Sequence, residues 1–133
     1  LCVGMLTGVL NYYQIRHSEL ARAHYYVDIA HRSSLLYAAA SLILAVLASF
    51  TILPDMVVLV CVIANLLFFA MSVLIYTIHG MLKDTTNQFK QPHQLGRFTL
   101  PTWCMSLMML SLIIVELGAT TILMLGTIFK FLT

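Results

Sequence analysis

Three histidines, His17, His24 and His31, stand seven residues apart near the start of the chain; His79 and His93 follow. Imidazole titrates near neutral pH and ligates metals, so such a set can serve proton transfer or metal binding. Seven residues turn a helix by about 700°, so on one helix the first three would form a stripe drifting ~20° per step. Neighbours would stand about 10.5 Å apart. Two such rings cannot share one ion at Zn–N distances of about 2.0–2.1 Å, so a metal must draw donors from several segments. The possible donors are His24, His31, His79 and His93, with Asp28 and Asp84 beside them. A b-type haem needs two axial ligands on different helices, which His31 and His79 could supply. Without a metal, His24, His31 and Asp28 are the candidate catalytic acid–base residues. There is no HxxxH, which argues against the multi-box di-iron hydroxylases. Cys2, Cys61 and Cys104 lie in apolar runs with no CxxC, which argues against a thiolate site.

The elements that must position these residues are set by composition. The chain is 61% hydrophobic and 9% charged, with mean hydropathy +0.96. Soluble domains carry roughly 25% charged residues, and apolar runs of about 20 residues mark membrane spans. The expected fold is all-α: an integral membrane four-helix bundle forming one domain over 1–133. Its spans are approximately 1–15, 34–53, 56–79 and 101–129, with polar segments 16–33 and 80–99. The first run covers about 22 Å of a ~30 Å core, so a preceding stretch of chain is expected to complete it. Pro54-Asp55 marks a tight turn, Gly80 a helix C-cap, and Pro101 the start of the last span. Residues 9–53 contain no Gly or Pro. Ser18 is therefore expected to cap a helix that begins at Glu19 and runs through His31 into the second span. That span would project beyond the lipid.

This topology puts both polar segments on one side. Arg16, Arg22, Arg32, Lys83, Lys90 and Arg97 lie there; only Lys130 lies on the other. The asymmetry predicts a cytoplasmic histidine face with both termini outside, in a bacterial inner membrane. Tyr12, Tyr13, Tyr25, Tyr26, Tyr37, Tyr76 and Trp103 fall near the same ends, as an interfacial belt or as the rim of a pocket. The stretch 79–89 is dense in donors and acceptors. Together with the second span it offers a ligand or cofactor site from His31, His79, Arg32, Asp84, Asn87, Tyr37 and Tyr76. Ion pairs among Asp28, Arg32 and Asp84 could lock the two polar segments.

Two polar residues lie deep. Glu116 and Asn65 both sit roughly 21–23 Å from the cytoplasmic ends, so a Glu116–Asn65 hydrogen bond is expected, with a mid-membrane proton or ligand site as the alternative. Helix association in lipid relies on close packing. Gly4 with Gly8, Ser41 with Ala45 and Ser49, and Gly118 with Gly126 are the small-residue pairs available for it, within the chain or between subunits of a homo-oligomer or larger membrane complex.

The layout resembles one family, the small four-span hydroxylaminobenzene mutases. The residues that carry the likeness are Gly4 and Gly8, the run Leu20-Ala21-Arg22-Ala23-His24, and the polar 80–99 segment. The resemblance implies a cofactor-free isomerase acting on an aromatic hydroxylamine, with His24 as a proton-transfer group. The residues alone leave three classes open: a protein binding a small molecule or cofactor in a cytoplasmic-side pocket, a small membrane enzyme using that pocket, or a proton-coupled carrier using Glu116. No phosphate-binding loop, nucleophile elbow or nucleic-acid module is present, so no nucleic-acid partner is expected.

Overall fold

The computed structural model describes residues 1–132 apart from Arg97; that cation of the polar face lies outside the described residues. The elements are α1 (Cys2–Arg16), α2 (Tyr25–Phe50), α3 (Asp55–Leu82), β1 (His93–Leu95), β2 (Phe98–Leu100) and α4 (Thr102–Leu132). The chain is all-helical except for the β1–β2 hairpin. Helices α2, α3 and α4, of 26, 28 and 31 residues, are long and apolar enough to cross a membrane. The 15 residues of α1 span about 22 Å and fall short of that length.

Helices α2, α3 and α4 pack on one another, and α1 lies against α2. Leu44, Cys61, Ala119 and Leu123 form the buried centre. Most other large apolar side chains face outward, Leu36, Leu42, Val60 and Leu117 among them, as lipid contact requires. At the Pro54 end, Ile52 donates its N–H to the Gly126 carbonyl at 3.3 Å, and a Cβ on Gly126 would collide with Thr51 and Leu53. Gly4 and Gly8 bring α1 onto α2 within the chain: added Cβ atoms would meet Leu35 and His31 at 2.7 and 2.9 Å. The other small-residue pairs behave differently. Ser41 and Ser49 donate to carbonyls of their own helix, Ala45 and Ser49 are exposed, and nothing lies within 4 Å of a Cβ on Gly118.

Two helix ends depart from expectation. Helix α2 begins at Tyr25, not Glu19. Residues 17–24 turn instead, with Ala21 in the left-handed region at φ 48° and its N–H on the Ser18 carbonyl. A tertiary contact overrides local helix propensity here: the Gln14 side chain accepts the His24 N–H at 2.9 Å and donates to the Gly80 carbonyl at 3.2 Å. Helix α3 continues through Gly80 to Leu82, and Lys83 takes the left-handed C-cap position at φ 52°. Gly80 serves a close helix crossing instead. A Cβ there would meet the Val27 backbone nitrogen at 2.8 Å.

The deep polar pair also differs. Asn65, fully buried, donates to the Cys61 carbonyl at 2.9 Å and accepts from Thr120 at 3.2 Å, not from Glu116. Thr120 lies one turn beyond Glu116 on α4, and that turn decides the partner. Glu116 Oε1 is buried with no hydrogen-bond partner among the described residues.

Candidate functional site

The crossing at Gly80 sets the first turn of α2 against the last turns of α3. His24 ends the turn before α2 in an extended conformation, and its Nδ1 accepts the Tyr26 N–H at 3.4 Å as a helix cap. Tyr26 is buried. Its ring stacks on Tyr76 at 5.9 Å and tilts against His79 at 5.3 Å. The cluster thus closes around His79, which the α3 register aims inward.

His79 Nδ1 lies 2.8 Å from Asp84 Oδ1, and both side chains are nearly buried, at 6% and 7% exposure. The other carboxylate oxygen accepts the Gly96 N–H at 2.7 Å. Asp84 therefore joins the end of α3 to the β1–β2 hairpin, whose register pairs His93 with Leu100 and Leu95 with Phe98. Burial alone would raise the Asp84 pKa. The Gly96 N–H, with the His79 ring behind it, outweighs that and holds the carboxyl below the usual aspartate range. The segment between is tied down as well. Gln88 donates its N–H to the Tyr26 hydroxyl at 2.6 Å, and its carbonyl lies 3.0 Å from His93 Nδ1. Thr85 and Asn87 bond each other and Phe89 to form the outer turn.

These groups wall a polar pocket of about 460 Å³, lined by His24, Lys83, Asp84, Asn87, Gln88 and Lys90 among others. Desolvation lowers the His24 pKa, and the neighbouring Lys83 charge adds to it. Both effects favour the neutral form of His24. With Nδ1 accepting the cap hydrogen bond, the remaining proton sits on Nε2 and the ring offers a donor. Lys83 and Lys90 supply positive charge, while the Asp84 carboxylate is already engaged. The described lining therefore carries two cations, and its carboxylate is already bonded within the protein.

The expected site residues separate into two groups. His24, His79, Asp84, Asn87 and His93 share this polar end, and Tyr76 stacks beneath it. His31, Arg32, Asp28 and Tyr37 are elsewhere. His31 Nδ1 lies 2.9 Å from the Gly4 carbonyl, so its ring belongs to the α1–α2 contact. His31 is five residues past Tyr26, about 140° around α2 from the face that meets His79, so the two rings named as possible axial ligands lie on different seams. Arg32 pairs with Asp28 on its own helix at 2.8 Å and does not reach Asp84. Tyr37 stacks on Phe69 at 4.3 Å, deeper in the bundle. His17 is exposed against the Tyr13 carbonyl. Among the described residues no three His, Cys, Asp or Glu side chains converge as a metal site. Of the aromatic belt, Tyr12, Tyr13, Tyr25 and Trp103 are exposed, whereas Tyr26, Tyr37 and Tyr76 turn inward.

Sequence reasoning does not single out Gln14 or Gln88 as site-builders; it names Tyr26 only within the aromatic belt or pocket rim, and Gly80 only as a helix C-cap. Tyr26 and Gln88 meet across 62 residues, and no local pattern announces such a contact. The chain matches no known family model, and no curated protein or solved structure is detectably similar to it.

Proposed function

We propose that this is a membrane-embedded binding protein that takes an anionic small molecule or head group into the pocket at the α2–α3 end. The observation that carries the reading is the pocket's makeup. Two lysines and His24 face a 460 Å³ space, while Asp84, the one carboxylate of its wall among the described residues, is spent on His79 and Gly96. In this reading α1 enters the bilayer beside the three longer helices as a fourth span. The lysine-bearing face is cytoplasmic, as the positive-inside asymmetry favours, with both termini outside an inner membrane. The outward apolar surface serves lipid, and association into a homo-oligomer or larger membrane complex is compatible with it. The test is calorimetric titration of the purified chain with glycerol phosphate. Binding that weakens about tenfold or more in Lys83→Ala with Lys90→Ala supports the reading, because each lost charge-assisted contact removes roughly 1.5–3 kcal/mol. Binding indifferent to both substitutions rejects it.

A second reading is an acid–base isomerase of the mutase kind. Its support is His24, an imidazole that lines this pocket and a neighbouring one of about 350 Å³ formed with Tyr13, Gln14 and Arg22. The cap hydrogen bond at Nδ1 disfavours His24 as a base and favours it as a donor. Isomerisation of an aryl hydroxylamine that survives His24→Gln would remove this reading.

A further inference from the structure

A second cavity, of a different kind, shares a wall residue with the polar pocket. It measures about 150 Å³, runs between α3 and α4, and is walled by Leu67, Phe68, Met71, Ile75, Met108 and Leu112 with their neighbours. One residue, Gln88, lines both spaces. Gln88 is 8% exposed, and its side-chain Oε1 is fully buried with no hydrogen-bond partner among the described residues. A buried acceptor left unpaired is costly, by about 1–3 kcal/mol in general, so such an atom marks a place where a donor belongs.

We propose that the two cavities form one site for a single-chain anionic amphipath carrying a hydroxyl between its chain and its charge, as in a monoacyl glycerol phosphate. The inference rests on the binding reading above and names the ligand class of that same pocket. Each part of the ligand answers an observation. The phosphate meets Lys83 and Lys90 and the Nε2 proton of His24. A turn of the Gln88 side chain brings its Oε1, enclosed and unpaired among the described residues, to the neck hydroxyl, which donates to it. The alkyl chain descends between α3 and α4. A cavity of 150 Å³ holds about six carbons, the size of a benzene ring, and therefore one chain rather than two. Leu67 and Met71 at its rim are exposed, so the rest of a longer chain runs out into lipid. Methionines on both walls adapt to a flexible chain. The order of the parts also matches the membrane: the polar head lies beyond the end of α3, and the chain lies alongside its apolar body.

The experiment titrates the full chain, in a detergent of different head group, with four probes. They are glycerol phosphate, octanoyl glycerol phosphate, its deoxy analogue lacking the free hydroxyl, and uncharged octanoyl glycerol. The octanoyl phosphate is expected to bind at least about tenfold tighter than glycerol phosphate, and the deoxy analogue about tenfold more weakly than its parent. Gln88→Leu should erase the difference between parent and deoxy forms. Leu112→Trp, which fills the second cavity, should erase the advantage of the chain while glycerol phosphate binding persists and reports an intact fold. Equal affinity for glycerol phosphate and its octanoyl ester overturns the amphipath and leaves the anion pocket standing. Binding of octanoyl glycerol as tight as its phosphate removes the anionic head, and no binding by any probe overturns both readings.

Discussion

The α1–α2 seam and the α2–α3 seam each contain a histidine near a helix end, and they use it differently. At the first, His31 lies on Gly8 and bonds the Gly4 carbonyl, next to a Thr7–Ser34 hydroxyl contact of 3.0 Å. Among the described residues no buried side-chain nitrogen or oxygen of this seam lacks a partner, and the contact is a clamp. At the second, His79 is answered by Asp84, which is answered by Gly96, but at Gln88 the side-chain acceptor is unmet among the described residues. Two histidines on adjacent seams therefore differ in whether their surroundings close. A closed polar contact holds helices together; an open one leaves chemistry for a ligand to complete.

The largest effect should come from Gly80→Leu. Its side chain must displace the Val27 backbone, and overpacking of this kind costs about 2–3 kcal/mol. Thermal unfolding should fall, and anion binding should vanish because the pocket wall moves. If stability drops while binding persists, the crossing does not build the site. Asp84→Ala should cost about 2 kcal/mol, since it leaves the His79 ring and the Gly96 N–H without their charged acceptor.

The same residue sets a pH dependence. Because the folded-state pKa of Asp84 is depressed, the unfolded chain binds its proton first as pH falls. The contribution is complete above the ordinary value of 3.8 and is lost as pH falls through the folded value. Unfolding midpoints measured below pH 4 should show this loss in the parent and not in Asp84→Asn.

His31→Ala should cost about 1 kcal/mol, the loss of one hydrogen bond and its packing on Gly8, and leave glycerol phosphate affinity unchanged. Weakened affinity would mean that the two seams are coupled. Glu116→Leu gives the smallest change, neutral or stabilising by up to about 1 kcal/mol, because it deletes a buried acceptor that has no partner among the described residues. A clear destabilisation would identify the Glu116 carboxyl as a paired group and make mid-membrane proton chemistry the better account of it.

Much of the scaffold is legible in the residues. The three long apolar runs and the Pro54-Asp55 turn read directly as α2, α3 and α4 and place both polar segments at one end of the α2–α3 pair. His79, Asp84, Asn87 and His93 were legible as members of that end because they flank or follow the third run. The start of α2 was not, since the Gln14 bridge from α1 to Gly80 replaces a local cap with a long-range one. Nor was the Asn65 partner, which turns on whether residue 116 or 120 of α4 faces α3.

Sequence by itself determined where the three long helices run, which segments are apolar enough to leave water, and which end of the molecule is polar, because hydrophobicity and turn chemistry act over a few residues. Only the tertiary structure decided which histidine meets which partner and that Gln88 is buried between two cavities. Those outcomes depend on the rotation of each helix about its axis, where one residue is worth 100°, and that angle is set by contacts such as Gly4 on Leu35 and Gly80 on Val27, far apart in the chain.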